Sequence, residues 1–296
     1  VDNELIQTQY GYFTLKHLPT AEELKQYYAD KYYQGSMSQY EKSYSEEEIK
    51  HFQNKIASRY AVIEELLVPY SSQQLKFLDI GCGEGWALDF FKRKGWEIVG
   101  LDYSSHGCAT HNPHILDCLI AGDIYDSLDL LLTEGNKYDC IWLDNVLEHV
   151  TDPKQLLLKI RDLVGSTKSV LVIDVPNDFS LLQRQLLDLQ CIQRPFWIAV
   201  PDHISYFNKE GLIALCAATH WQERYIMGDY PIDWHLLNPN TNYIEDRSKG
   251  KSVHLQRVVM ENLLYDISIP KTNDYYRALA ELGMGRSIIG FFQLNA

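Results

Sequence analysis

Apolar positions change their period along the chain, and those changes divide it into stretches. Residues 1–72 read as an N-terminal helical cap. Ile49, Phe52, Ile56, Tyr60, Ile63 and Leu67 recur at helical spacing, which predicts a long amphipathic helix with Ser45 and Glu48 as its capping box. Thr20 and Glu23 make the same signature ahead of another helical pattern, and Gly35–Ser43 reads as the loop between the two. Residues 73–227 alternate apolar runs with amphipathic ones. Strands are predicted at Lys76–Ile80, Glu97–Leu101, Leu116–Ala121, Tyr138–Leu143, Ser169–Val175 and Glu223–Met227. Helices are predicted between them at Trp86–Lys94, Pro153–Leu163, Phe179–Leu189 and Lys209–Ala218, with Thr151 or Asp152 capping the one that opens on Pro153.

This alternation predicts an α/β fold with a doubly wound parallel sheet covered on both faces. Residues 228–286 read as an insertion or lid. They open on the polar DYPIDWHLLNPNTN and carry a helical pattern over Val253–Tyr265. Residues 287–296 hold a final strand, SIIGFFQL, expected to return to the sheet edge. No internal repeat is present.

Composition narrows the ligand more than the fold. The 296 residues carry 27 Lys+Arg against 40 Asp+Glu, a net charge of −13, which argues against binding nucleic acid. No apolar run approaches the roughly 18 residues of a membrane span, and Val1–Tyr10 lacks a signal-peptide layout, so a cytoplasmic protein is expected. The six cysteines form no C-x-x-C pair and read as reduced thiols.

The most informative stretch is FLDIGCGEGWALDFFKRKGWEIVGLDY, residues 77–103. A strand ends at Asp79–Ile80, and Gly81, Gly83 and Gly85 make a tight turn into a helix, where backbone N–H groups can approach a ligand closely. Asp102 follows about 20 residues on, the position from which a carboxylate meets ribose hydroxyls in doubly wound folds. The third glycine comes one position too early for a dinucleotide fingerprint, and Glu84 would repel a pyrophosphate. A phosphate-free, cationic nucleoside ligand fits better, and S-adenosylmethionine is one.

LDIGCGEG resembles the first motif of class I S-adenosylmethionine-dependent methyltransferases. AGDI, YDCIWLDNVLEHV and VLVIDVPN follow in the matching order, over about residues 74–227. The segment after the fourth strand is similar to that of quinone-type O-methyltransferases and sugar methyltransferases. The resemblance implies a seven-stranded, mostly parallel Rossmann-like sheet with an antiparallel last strand. It implies that Gly81 and Gly83 pack against the cofactor's aminoacyl part, with Asp79 bracing the loop. Asp102 would hold the ribose, with Tyr103 in the same cofactor-binding set. Asp123 would meet the adenine amine beside the Ile124 amide, and Asn145 would lie near the methionine end. Asp123 also reads as a helix N-cap, and both roles can coexist.

Transfer to a hydroxyl or an acidic C–H needs a base as well as orientation. His203, in PDHISYF, resembles the base of sugar C-methyltransferases, with Asp202 and Tyr206 as neighbours; His149, after Glu148, is the second candidate. Asn145-Val146-Leu147-Glu148-His149 lacks the first carboxylate of a Glu-x-x-Glu-His metal motif, so no metal is expected. Tyr27, Tyr28, Tyr32, Tyr33, Tyr40 and Tyr44 either pack the N-terminal helices or line an acceptor pocket. Trp197, Trp234, His235 and Tyr243 read as ordinary packing, with an acceptor pocket as the alternative.

The expectation is a methyltransferase acting on a small-molecule acceptor. A sugar or nucleotide sugar comes first, on PDHISYF and the Pro19–Tyr28 segment, and a quinone-like or phenolic oxygen second. A nicotinamide oxidoreductase and a non-catalytic cofactor-binding protein are the rivals.

Overall fold

The computed structural model describes residues 4–20, 23–24, 27, 43–67 and 74–295. The chain runs β1 (Leu5–Gln7), β2 (Phe13–Leu15), α1 (Glu46–Leu66), β3 (Lys76–Ile80), α2 (Trp86–Arg93), β4 (Glu97–Asp102), α3 (His106–His111), β5 (Leu119–Ala121) and α4 (Ile124–Thr133). It continues through β6 (Cys140–Asp144), α5 (Pro153–Arg161), β7 (Val170–Pro176), α6 (Leu181–Asp188), β8 (Ser205–Tyr206) and α7 (Lys209–Ala218). The last elements are β9 (Trp221–Gly228), α8 (Gly250–Ile267), α9 (Ile269–Glu281) and β10 (Ser287–Leu294). The 7-stranded sheet has the order β5-β4-β3-β6-β7-β10-β9. Strands β5 to β7 pair in parallel, and β10 runs antiparallel to both neighbours. The winding reverses around β3, so the crevice past the carboxyl ends of β3 and β6 is the natural ligand position.

Strand alternation decides what each side of the sheet carries. Leu78, Ile80, Ile141, Leu143, Leu171 and Ile173 face one way, against Leu128 of α4, Leu156 of α5 and Leu212 of α7. Phe77, Trp142 and Val172 face the other, against Ile56, Tyr60 and Ile63 of α1, Phe91 of α2 and Leu279 of α9. Both faces are covered, which is why the strands read as nearly unbroken apolar runs. The same period puts Asp79, Asp144 and Asp174 in phase with Phe77, Trp142 and Val172. Three carboxylates therefore stand on the α1 side of neighbouring strands β3, β6 and β7.

Helix α1 starts where its capping box predicts: the Glu48 N–H donates to Ser45 Oγ at 3.3 Å and the Ser45 N–H to the Glu48 carboxylate at 2.9 Å. Asp152, not Thr151, caps α5 by accepting the Gln155 N–H at 2.9 Å. Glu261 of α8 accepts from His51 of α1, Arg257 and Tyr276 of α9, each at 2.8 Å, so the last two helices pack on α1 and hold it over the sheet. Among the described residues no helix is long and apolar enough to cross a membrane.

Two expectations need correction. The final strand does not sit at the sheet edge: β10 inserts between β7 and β9, and β9 is the edge. Ile288, Ile289, Phe291 and Phe292 are all buried, so β10 has the two apolar faces of an interior strand. The first residues are not helical: β1 and β2 form an antiparallel pair that β8 extends, Phe13 opposite Tyr206. The two strands are three residues each and pair with one another, and β8 adds pairing along β2 that no local pattern could announce. The Thr20–Glu23 capping box forms, the Thr20 N–H donating to Glu23 at 2.7 Å. Most of the helix expected after it, with Tyr28, Tyr32, Tyr33 and Tyr40 and the loop through residue 42, lies outside the described residues.

Candidate active site

The loop after β3 is built on backbone conformations that side chains resist. Gly81, Gly83 and Gly85 have φ of 74°, 52° and 79°. A Cβ on Gly81 would come within 2.5 Å of Val146 Cγ2, so the loop lies directly on the segment after β6. Asp102, at the end of β4, pins this loop. It accepts the Gly83 N–H at 2.8 Å and the Ser104 N–H at 3.0 Å. Burial raises its carboxyl pKa, and those N–H bonds oppose the rise.

Past the loop lies a cleft of about 360 Å³, lined by Asp79, Gly81, Asp144 and Asn145 from the sheet side and by Phe52, Lys55 and Arg59 from α1. Tyr44 and Trp86 close one end, both donating to the buried Glu84 carboxylate, at 2.7 and 2.6 Å. Arg59 Nη1 meets Asp144 at 2.6 Å, and Nη2 meets Asp174. Burial pushes the Asp144 carboxyl up, but Arg59 and Lys55 outweigh it and the net shift is downward. Asp174 is raised to about 7 by burial, against the pull of Arg59. Asp79 is pushed well above the carboxylate range by burial, with Asp144 and Asp102 adding to it.

Asp79, Gly81 and Asn145 therefore meet in one cleft. Asn145 has a positive φ of 54° and donates to Asp144 at 2.7 Å. Gly83, Asp102 and Tyr103 lie beside it at the loop and the end of β4. Asp123 stands at the end of β5 as the N-cap of α4, taking the Tyr125 N–H at 2.8 Å, and Ile124 is the first residue of that helix.

A second group collects one turn beyond Asn145. One ligand-capable atom each from Glu148, His149 and His203 lies within 4.8 Å of the others. His149 Nδ1 sits 2.6 Å from the Asp202 carbonyl. A carbonyl only accepts, so Nδ1 carries a proton, and Nε2 lies 3.9 Å from the Glu148 carboxyl. The His203 ring stands nearly perpendicular to His149, with centroids 4.9 Å apart. Tyr206 is fully buried and donates to the His203 carbonyl at 2.9 Å, so its hydroxyl shapes this loop. Glu148 is 1% exposed, and neither of its oxygens has a hydrogen-bond partner among the described residues. Burial raises its pKa well above the carboxylate range. These two histidines do not line the glycine-loop cleft; they adjoin it through the 145–149 segment.

Sequence reasoning missed what α1 brings. Lys55 and Arg59 lie one turn apart beside the apolar positions Phe52, Ile56 and Tyr60, and a cation within a buried stripe was the available signal. Glu84, expected to disfavour pyrophosphate, is a buried anchor for Tyr44 and Trp86.

A doubly wound sheet with a glycine loop, an acidic residue ending the second strand of the winding and a cleft at the switch point defines a Rossmann-like nucleotide-binding enzyme. A methyltransferase-domain family model matches residues 49–222. The chain belongs to that family, as a class I S-adenosylmethionine-dependent methyltransferase. Among curated proteins it is 30% identical over 101 residues to the ubiquinone biosynthesis O-methyltransferase of Cereibacter sphaeroides, covering 34% of this chain and 41% of that one. It is 24% identical over 190 residues to that of Aliivibrio fischeri, covering 64% and 77%. The match thus spans less than half of the Cereibacter relative. The fold is similar to 1,6-didemethyltoxoflavin-N1-methyltransferase from Burkholderia thailandensis (TM-score 0.50, 12% identity, 99% and 100% of the chains). It is also similar to the plantazolicin methyltransferase BpumL (TM-score 0.51, 15%, 93% and 98%).

The residues present fit the cofactor. The glycine loop admits close approach where a Cβ on Gly81 would collide, and the cleft offers carboxylates and cations to a ligand carrying both signs of charge.

Proposed function

We propose that the protein methylates an oxygen of a phenolic, quinol-like small molecule. S-adenosylmethionine, when bound, supplies a methyl group already activated on a sulfonium. The chain's own residues then orient two reactants and remove one proton. In this reading Gly81, Gly83 and Asp79 hold the aminoacyl end, Asp102 and Tyr103 the ribose side, Asp123 and Ile124 the adenine, and Asn145 borders the reacting end. His203 is the base, with His149 beside it and Asp202 fixing the His149 tautomer.

The observation that carries the reading is the pair of imidazoles next to a cleft bordered by Asn145. A neutral imidazole with its unperturbed pKa of about 6.5 suits removal of a phenolic proton at neutral pH. The phenolic class is favoured by the curated relatives, whose names give ubiquinone biosynthesis. A sugar acceptor is the second reading, favoured by the PDHISYF segment around His203, while the net charge of −13 disfavours an anionic nucleotide sugar.

The test uses methyl-labelled S-adenosylmethionine with a panel of catechols and a panel of sugars and nucleotide sugars. Label in the catechol fraction is expected. Label in the sugar fraction would replace the first reading with the second. Cofactor binding without label in either panel would overturn both.

A further inference from the structure

We propose that the outer face of α8 is a self-association surface, on which a second copy of the chain docks with its own α8 antiparallel. Leu255, Val259, Leu263 and Ile267 recur at every fourth residue of α8, which sets them in one row on the helix, and Met260 lies beside that row. From the helical rise the row is about 18 Å long. Among the described residues all five side chains are left exposed, Val259 at 61% and Ile267 at 72%. The fold uses the other side of α8, where Glu261 and Tyr265 are buried against α1 and α9. Single exposed apolar residues are ordinary on a protein surface, whereas a contiguous row of them marks a place where something docks.

The ends of the row select the partner. Among the exposed positions of α8 the only charges are Lys251 in the first turn and Asp266 in the last, and Ser252 and Gln256 are the only other polar residues. The face is therefore basic at one end, acidic at the other and apolar between. A second α8 laid antiparallel meets base with acid at both ends at once, whereas a parallel one sets like charge against like. With Val259 on the twofold axis, Leu255 lies opposite the partner's Leu263 and Lys251 beside the partner's Asp266. Such a contact is isologous and closes at two copies. Asp266 also holds Lys50 at 2.7 Å, but that pair is half-exposed and contributes little to the fold, so its charge can be reversed without unfolding the chain. An anionic lipid surface is the competing apolar partner, and the net charge of −13 disfavours it. The inference is independent of both the cofactor and the acceptor.

The test is sedimentation equilibrium of the full chain over a range of concentrations, with phosphatidylglycerol vesicles as a second probe. Wild-type protein is expected to be a dimer. Val259→Asp sets two carboxylates face to face on the axis and should weaken the dimer by about a hundredfold or more, with the far-UV circular dichroism of the monomer unchanged. Lys251→Glu should weaken it by about tenfold, and adding Asp266→Lys should restore most of that loss, because the reversed ends again match. A wild type that stays monomeric, free or bound to the vesicles, would overturn the proposal. A dimer indifferent to Val259→Asp would place the contact on another surface, and a failed charge-reversal rescue would reject the antiparallel pairing.

Discussion

Asp144 and Glu148 are carboxylates four residues apart at the same end of the sheet, and the fold treats them in opposite ways. Asp144 is met by Arg59 from α1, by the Asn145 side chain and by the nearby charge of Lys55, and its pKa falls. Glu148 is buried with neither oxygen hydrogen-bonded among the described residues, beside His149 and His203, and its pKa rises. The first carboxylate is fixed before any ligand arrives. The second is left responsive to a proton or a polar ligand, because a buried polar group without a partner is unfavourable until one comes. The cleft region is preorganised for holding, and the histidine region keeps the groups whose charge can change.

The largest test of this contrast removes Arg59. Arg59→Met leaves Asp174 buried without its counter-charge and should destabilise the fold by about 3–5 kcal/mol in denaturant unfolding. Adding Asp174→Asn should recover part of the loss; no recovery would mean that Arg59 acts through packing, not charge. On the other side, His203→Ala should lower turnover by about a hundredfold while S-adenosylhomocysteine affinity stays within twofold. Full activity would take His203 out of the reaction, and a parallel loss of affinity would erase the boundary between the two regions.

Smaller changes sharpen the boundary. Asp102→Asn should weaken cofactor binding by about tenfold, through a poorer partner for the ribose and for the Gly83 N–H. Unchanged affinity would leave Asp102 as a loop anchor only. Asp178, just past β7, lies between the two cases. Burial raises it to about 7 although Arg286 is 3.5 Å away. A carboxyl whose folded pKa lies above its unfolded value keeps its proton in the folded state where the unfolded chain has released it. Its contribution to stability is therefore present below pH of about 4 and lost as pH rises through about 7. Asp178→Asn should flatten the Tm against pH curve over that window, and an unchanged slope would assign the pH dependence elsewhere.

The sequence foretold the parts of the fold whose causes are local. The alternation of β6 and β7, the Ser45–Glu48 box and the glycine loop all carry their reason within a few residues, and the elements form where they predict. The β1–β2 pair was illegible because its strands are only three residues each, too short for an alternation to show, and the β8 strand that extends it comes from the far side of the chain. The position of β10 depended on which strand already stood at the edge. The candidate site divides in the same manner. Asp79, Gly81 and Asn145 follow from strand ends, whereas Lys55 and Arg59 enter only because α8 and α9 hold α1 against the sheet. Glu148 read only as the remaining carboxylate of an incomplete metal motif, and burial without hydrogen-bond partners among the described residues sets it apart.

The insertion of β10 has a consequence for how the chain reaches this structure. Until residues 287–294 arrive, β7, buried along its whole length in the finished fold, has an unpaired edge, and β9 has no strand neighbour on which to dock. The parallel half can assemble during synthesis, but it does so with a sticky edge exposed, the kind that recruits other chains. The same strand that completes the sheet thus also protects it from aggregation, and a fusion or truncation that delays β10 would show first as lost solubility, before any loss of cofactor binding.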